Sequence, residues 1–158
     1  MSTEMKRRIF LKRSLAAGSV GIAAATGLLA PQQVLAAWNK TAFESKDLAD
    51  GLKALLGSSD TTESGEIKVK APDIAENGAV VPVTIETDMT GVESIAVIAS
   101  NNPVPLIANF VLGPGALGFV STRIKMGKTG DVIGVVKAGG KLYSAKKEVK
   151  VTIGGCGG

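Results

Sequence analysis

The C-terminal segment 154–158, Gly-Gly-Cys-Gly-Gly, contains the only cysteine of this 158-residue chain, and its other four residues are glycines. A thiolate is a nucleophile that can hold a group covalently. Glycine has no Cβ and adopts positive φ about as readily as negative φ, so the pairs Gly154-Gly155 and Gly157-Gly158 give Cys156 rotational freedom and a narrow outline. If the last strand ends at Ile153, three extended residues carry Cys156 about 10–11 Å beyond the folded body. We therefore interpret residues 154–158 as a flexible arm that presents a thiol to other proteins.

The rest of the chain offers little that would activate this thiol. Histidine is absent, which excludes catalytic Cys–His and Ser–His couples, imidazole zinc ligands and haem ligation through histidine. An unperturbed cysteine has a pKa of about 8.5, and the nearest basic side chain in the sequence is Lys150. We expect the enzyme that receives the arm to activate the thiol. The chain is therefore predicted to be a covalent carrier rather than an enzyme, with no catalytic residue, metal or cofactor of its own.

The N-terminal segment contains an export motif. Arg7 and Arg8, followed after one residue by Phe10 and Leu11, resemble the twin-arginine consensus. Because that pathway exports folded proteins, this match predicts a protein that reaches the periplasm already folded.

The residues after the arginine pair predict removal of this leader. Residues 14–30 are uncharged and rich in Ala and Gly, and a small-residue pattern ends at Ala36. We expect residues 1–37 to be a signal peptide that is cleaved after Ala36 or Ala37, leaving no membrane segment. An N-terminal anchor that is not cleaved is the alternative.

The leader also accounts for the positive charge of the chain. Its five basic residues and single acidic residue supply the whole formal charge of +4, and the remainder is neutral. A neutral domain with one Trp and one Tyr lacks the basic surface and interleaved aromatic residues expected of a nucleic-acid-binding protein. We exclude that class.

A single domain is predicted over residues 38–153, beginning with a helix over residues 41–56. Thr41 and Glu44 have the spacing of a capping box, and Gly57 is a typical residue at a helix C-terminus. An apolar stripe is formed by leucines at helical spacing, Leu48, Leu52, Leu55 and Leu56. We expect the stripe to pack on the domain's own sheet, and docking on a partner subunit is the alternative.

From residue 66 onward, short β-branched runs alternate with turn residues at the spacing typical of a sandwich or barrel. Seven strands are predicted, at residues 67–70, 80–87, 94–99, 106–112, 118–126, 131–138 and 141–153. Gly139-Gly140 predicts a hairpin turn between the last two. Val149, Val151 and Ile153 alternate with polar residues, so we expect them on one face. These features predict an all-β, immunoglobulin-like sandwich.

The arm, the leader and the β-rich body together resemble the SoxY family, the sulfur-carrier subunits of the Sox thiosulfate-oxidising system. The resemblance implies that sulfur intermediates are held covalently on Cys156. It also implies a heterodimer with SoxZ, a second small β protein. Transient docking is implied to a haem enzyme that couples thiosulfate to the cysteine, a metal-dependent hydrolase that releases sulfate and, in some systems, a sulfane dehydrogenase. Residues 101–110 are similar to a proline-containing segment of the family, but by themselves they indicate only a turn.

Two other hypotheses use the same C-terminal residues differently. In a ubiquitin-like sulfur carrier, the carboxylate of a terminal Gly-Gly pair such as Gly157-Gly158 is adenylated and thiocarboxylated. The export motif argues against this, because adenylation needs cytoplasmic ATP. In a structural subunit, Cys156 would instead form an intermolecular disulfide.

Overall fold

Short strands separated by turns make up most of the chain that the structure describes. The computed structural model describes residues 39–152, so the predicted leader and arm lie outside the described residues. The helices are α1 (Lys40–Glu44) and α2 (Leu48–Leu56). The strands are β1 (Thr62–Glu63), β2 (Ile67–Lys70), β3 (Ile74–Ala75), β4 (Val81–Thr87), β5 (Val92–Ala99), β6 (Leu106–Val111), β7 (Phe119–Ile124), β8 (Gly130–Ala138) and β9 (Lys141–Val151).

The strands form two sheets. The large sheet has the order β1-β9-β8-β5-β6, and β3 also pairs with β9. The small sheet has the order β2-β4-β7. Pairing is antiparallel except for β1 and β3, which run parallel to β9.

The main core lies between the two sheets. Val97 and Val136 of the large sheet and Val83 and Ile85 of the small sheet are almost completely buried in it. Burying one such side chain stabilises the fold by roughly 1.5–3 kcal/mol. Gly134 in β8 makes room for Ile85, because a Cβ at position 134 would lie 2.9 Å from Ile85 Cδ1. The predicted all-β, immunoglobulin-like sandwich is confirmed.

The helices cover the other face of the large sheet. Leu52 of α2 packs there with Ile98, Val135 and Leu142, and Ala42 of α1 belongs to the same cluster. The central strands of the large sheet are therefore buried on both faces. The expectation that the leucine stripe packs on the domain's own sheet is confirmed.

The single helix predicted over residues 41–56 is wrong, because residues 45–47 interrupt it. Ser45 is extended, with φ −65° and ψ 130°, and its hydroxyl donates to the carbonyl oxygen of Asp47 at 2.7 Å. The Asp47 side chain then caps α2 by accepting from the Asp50 N–H at 3.0 Å. Short polar side chains that bond nearby backbone compete with a continuous helix. Asn39, rather than the predicted Thr41–Glu44 box, caps α1.

All seven predicted strands are present, with ends that differ by at most two residues among those described. The hairpin between β8 and β9 is confirmed, since Gly139 and Gly140 have φ values of 55° and 73° and join the Ala138–Lys141 pair. The two-residue strands β1 and β3 were not predicted. No helix among residues 39–152 has the length and apolar character needed to cross a membrane.

Candidate functional site

Strand β9 leads directly toward the predicted arm. It pairs with β8 from Lys141 to Val149, where the partner is Gly130, the first residue of β8. Val149 is fully buried and Val151 is half-buried, whereas Lys150 is exposed. The predicted facing of Val149 and Val151 is therefore confirmed, and Ile153 lies outside the described residues.

Beyond Val149 the chain is held from both sides, and we call residues 150–152 the arm root. On one side, the N–H of Lys150 donates to the carbonyl oxygen of Asp73 at 3.0 Å, and the N–H of Thr152 donates to that of Ala75 at 3.1 Å. On the other side, the N–H of Val151 donates to Thr129 Oγ1 at 2.9 Å. Successive N–H groups of the root are thus bonded alternately to two different segments.

The 101–102 turn supports the loop that carries Thr129. Asn101 Nδ2 donates to the carbonyl oxygen of Thr129 at 2.7 Å. Asn102 Nδ2 donates to the carbonyl oxygen of Lys125 at 2.7 Å, and its Oδ1 accepts from the Gly127 N–H at 3.0 Å. The predicted turn is present, and its two amide side chains tie the β5–β6 connection to the β7–β8 connection.

Charged side chains near the root form exposed pairs. Lys147 Nζ lies 2.9 Å from the Asp73 carboxylate, and Lys146 Nζ lies 3.8 Å from that of Asp131. Since adjacent strand residues point to opposite faces, Lys146 and Lys147 lie on opposite faces of β9. No cluster of acidic, histidine or cysteine side chains suited to a metal ion occurs among residues 39–152.

One carboxyl group of the described chain, that of Glu86 on the small sheet, has a clearly shifted pKa. The Glu86 carboxylate accepts a hydrogen bond from Lys70 Nζ at 2.7 Å, and this bond lowers the pKa of Glu86. Both residues belong to the small sheet. The shift reflects a surface ion pair rather than a catalytic acid.

The sequence-predicted site residues fall outside the described residues. These are Cys156 with Gly154, Gly155, Gly157 and Gly158 of the arm, and Arg7, Arg8, Phe10 and Leu11 of the export motif. The structure therefore places the root but not the thiol. No sequence pattern indicated the parallel pairing of β3 with β9 or a role for Thr129.

Comparison with known proteins relates the chain to sulfur oxidation proteins. The family model described as sulfur oxidation protein SoxY matches residues 52–156. The solved structure of the sulfur carrier protein SoxY from Chlorobium limicola f thiosulfatophilum is 47% identical, with a TM-score of 0.60, over 66% of this chain and 94% of that chain. No curated protein matches significantly.

Two other solved structures show weaker similarity. The superoxide reductase (neelaredoxin) from Ignicoccus hospitalis is 21% identical, with a TM-score of 0.48, over 54% of this chain and 79% of its own. The PKD domain of an M14-like peptidase from a Thermoplasmatales archaeon is 18% identical, with a TM-score of 0.40, over 58% of this chain and 96% of its own. By contrast, the SoxY match covers more than half of the sequence and nearly all of a solved relative. The chain belongs to the SoxY family of sulfur oxidation proteins.

Proposed function

We propose that this chain carries sulfur compounds as covalent adducts of Cys156 and presents them to partner enzymes in the periplasm. The observation that carries the proposal is the extent of the family match, which runs through position 156 and therefore includes the only cysteine. The solved relative is itself named a sulfur carrier protein. The bonded arm root supports the proposal, because a thiol on a short tail beyond a fixed point has a defined reach.

The proposed chemistry begins with oxidative coupling of thiosulfate to the Cys156 thiol. One S–S bond forms, the thiol loses its proton, and two electrons pass to the haem enzyme. The product is a cysteine S-thiosulfonate. Water then cleaves the bond to the outer sulfur, which leaves as hydrogen sulfate while a persulfide remains on Cys156. A sulfane dehydrogenase would oxidise that persulfide in systems that contain one.

Activation in trans follows from the sequence around the thiol. Histidine is absent and the nearest basic side chain in the sequence is Lys150, so a local base or cation that would lower the pKa of Cys156 is lacking in the neighbouring sequence. We propose that the receiving enzyme supplies this environment. The chain is then a substrate-bearing subunit, not a catalyst.

We further propose that SoxZ is the constitutive partner and that it binds at the β6 surface, which we define as the β6 edge with Val111, Leu117 and Phe119. Among the described residues, β6 pairs only with β5, so its other edge can accept a strand. Val111, Leu117 and Phe119 are 80%, 82% and 52% exposed. No charged residue occurs between Glu93 and Arg123. A strand edge without charged residues and a set of exposed apolar side chains both suit a protein partner and are a liability without one.

Mass spectrometry of the purified periplasmic protein tests the carrier function. Trypsin cleaves after Lys150, so non-reducing digestion releases a C-terminal peptide that starts at Val151 and contains Cys156. We expect thiosulfonate or persulfide adducts on this peptide after growth on thiosulfate. The Cys156→Ser variant should be exported and folded normally, carry no adduct and abolish thiosulfate turnover by the reconstituted system, because the change removes the nucleophile while keeping a side chain of similar size.

The same spectrum separates the other two hypotheses. A mass gain on the C-terminal carboxylate, with an unmodified thiol, would support the ubiquitin-like carrier. A disulfide-linked dimer of the peptide as the sole modified species would support the structural subunit. Either result would contradict the proposed function.

A further inference from the structure

We propose that Thr129, held in place by Asn101, is a positioning residue that fixes the arm root, the segment from which Cys156 is presented. This inference rests on the proposed function, since it concerns the delivery of Cys156. It assigns a role to the 101–102 turn, for which the sequence indicated no more than a change of direction.

Strand β8 begins at Gly130 and does not extend alongside the whole arm root. The last ladder pair between β8 and β9 is Gly130 with Val149, so no residue of β8 pairs with the chain at Val151. The Val151 N–H points to that side, because the neighbouring N–H groups of Lys150 and Thr152 donate to the opposite side. Thr129 fills the gap with its hydroxyl oxygen, at 2.9 Å from the Val151 nitrogen. A side chain thus replaces a ladder hydrogen bond that the strand can no longer make.

Thr129 is itself fixed by the neighbouring turn. The Asn101 amide donates to the Thr129 carbonyl oxygen at 2.7 Å. The next residue, Gly130, lies so close that a Cβ there would be 2.9 Å from Asn101 Nδ2. The contact from Asn101 through Thr129 to Val151 therefore joins two loops to the arm root.

The consequence is a defined reach. With Val151 and Thr152 bonded on opposite sides, the root is fixed through residue 152, and the four residues from there to Cys156 can span at most about 13–14 Å. If the Thr129 bond is lost, the side facing β8 is unbonded from Lys150 onward. The root is then held only through the Lys150 and Thr152 bonds on the other side, so it is fixed less firmly and samples a larger volume. The thiol is then presented at a lower local concentration to the cleft of a docked enzyme.

Thr129→Val tests this, because valine keeps the shape of threonine but has no acceptor. Thr129→Ser is the matched control, since it keeps the hydroxyl. In the mature protein, we expect the Val151 amide of the valine variant to exchange with solvent about tenfold faster or more, and the serine variant to match the wild type. Thr129 is exposed, so both variants should fold.

The reach is measured with spin labels on Cys156 and on an introduced Lys68→Cys, an exposed position on β2. We expect the distance distribution to be broader in the valine variant than in the wild type, and the serine variant to match the wild type. Loading by the thiosulfate-coupling enzyme should fall several-fold in kcat/KM, whereas alkylation by iodoacetamide stays unchanged. Unchanged amide exchange and an unchanged distribution in the valine variant would overturn the proposal.

A second variant decides the matter if Thr129→Val does not fold. Asn101→Asp removes the amide donor to Thr129 without changing the side-chain shape, and it should shift exchange and distance width in the same direction. No shift would overturn the proposal. The two proposals can fail separately. If wild-type Cys156 carries no sulfur adducts, the proposed function fails, but the amide-exchange and distance measurements still test the role of Thr129.

Discussion

The glycines on either side of Cys156 have a testable purpose at the scale of single residues. Replacing Gly155 and Gly157 by Val keeps the thiol and the length of the arm, but it adds branched side chains and penalises positive φ. If the arm must enter a narrow cleft, enzymatic loading of the double-valine variant should fall by about tenfold or more. The measurement is the rate at which the tryptic peptide from Val151 gains a sulfur adduct in the reconstituted system.

The control is reactivity toward a small reagent. Iodoacetamide needs no cleft, so the double-valine variant should be alkylated at the wild-type rate. The Gly155→Ala and Gly157→Ala double variant adds less bulk. Its rate of enzymatic loading should therefore lie between the rates of the wild type and the double-valine variant. Wild-type loading of the double-valine variant would show that the glycines are not needed for delivery.

Residue types with strict backbone requirements were predictable from the sequence, whereas residues selected by tertiary contact were not. Gly57 ends α2 with φ 88°, and Gly139 and Gly140 turn the last hairpin. Each has a conformation that other residues rarely adopt, so residue type alone carries the signal. Gly134 instead makes room for Ile85 across the core. No local sequence pattern predicts that role, because Ile85 belongs to a different sheet.

The same distinction holds for elements. Strands with several alternating positions were found within two residues of their ends, since one buried face imposes a period of two. Strands β1 and β3 have two residues each, too few for a period. They form because both can pair with β9 along the edge that does not pair with β8. The break between α1 and α2 was missed for a related reason: a leucine stripe reports which face is buried, not whether Ser45 and Asp47 keep the helix continuous.

The β6 surface gives the prediction at the scale of elements. Val111→Lys places a charge on an uncharged edge, so we expect affinity for purified SoxZ to fall by about tenfold or more. The thermal midpoint should not change, because Val111 is 80% exposed and belongs to no core cluster. Surface plasmon resonance measures the affinity.

Val80→Lys is the matched control, because Val80 is also exposed, at 55%, but lies outside the β6 surface. It should bind SoxZ as the wild type does. Equal losses in both variants would contradict the assignment. So would a homodimer of this chain that Val111→Lys dissociates while SoxZ binding is retained, since the surface would then serve a second copy.

At the scale of the whole molecule, the two proposed surfaces lie at separate places on the sandwich. The arm root lies at the end of β9, beside the connections that carry Asn101 and Thr129. Val111 and Phe119 lie at the other end of their sheets, where Val111 pairs with Ser94 and Phe119 pairs with Glu86. A partner bound there would leave the arm root accessible. A permanent complex and transient visits by enzymes are therefore compatible on one small domain.

The leader gives the last prediction, which concerns the complex as a unit of export. The twin-arginine pathway moves folded proteins, yet residues 39–152 contain no ligand cluster that would require a metal to be inserted before export. We propose that the reason for this route is the partner: the chain folds with SoxZ in the cytoplasm, and its motif exports both. Changing Arg7 and Arg8 to Lys keeps the charge but removes the pair that the receptor recognises. Both subunits should then remain in the cytoplasm, as measured by immunoblots of periplasmic and cytoplasmic fractions. Lys12→Arg, a change of the same kind outside the pair, should leave the export of both at wild-type levels. If the Arg7 and Arg8 variant retained this chain in the cytoplasm while SoxZ reached the periplasm normally, SoxZ would have its own route, and the folded complex would not be the cargo.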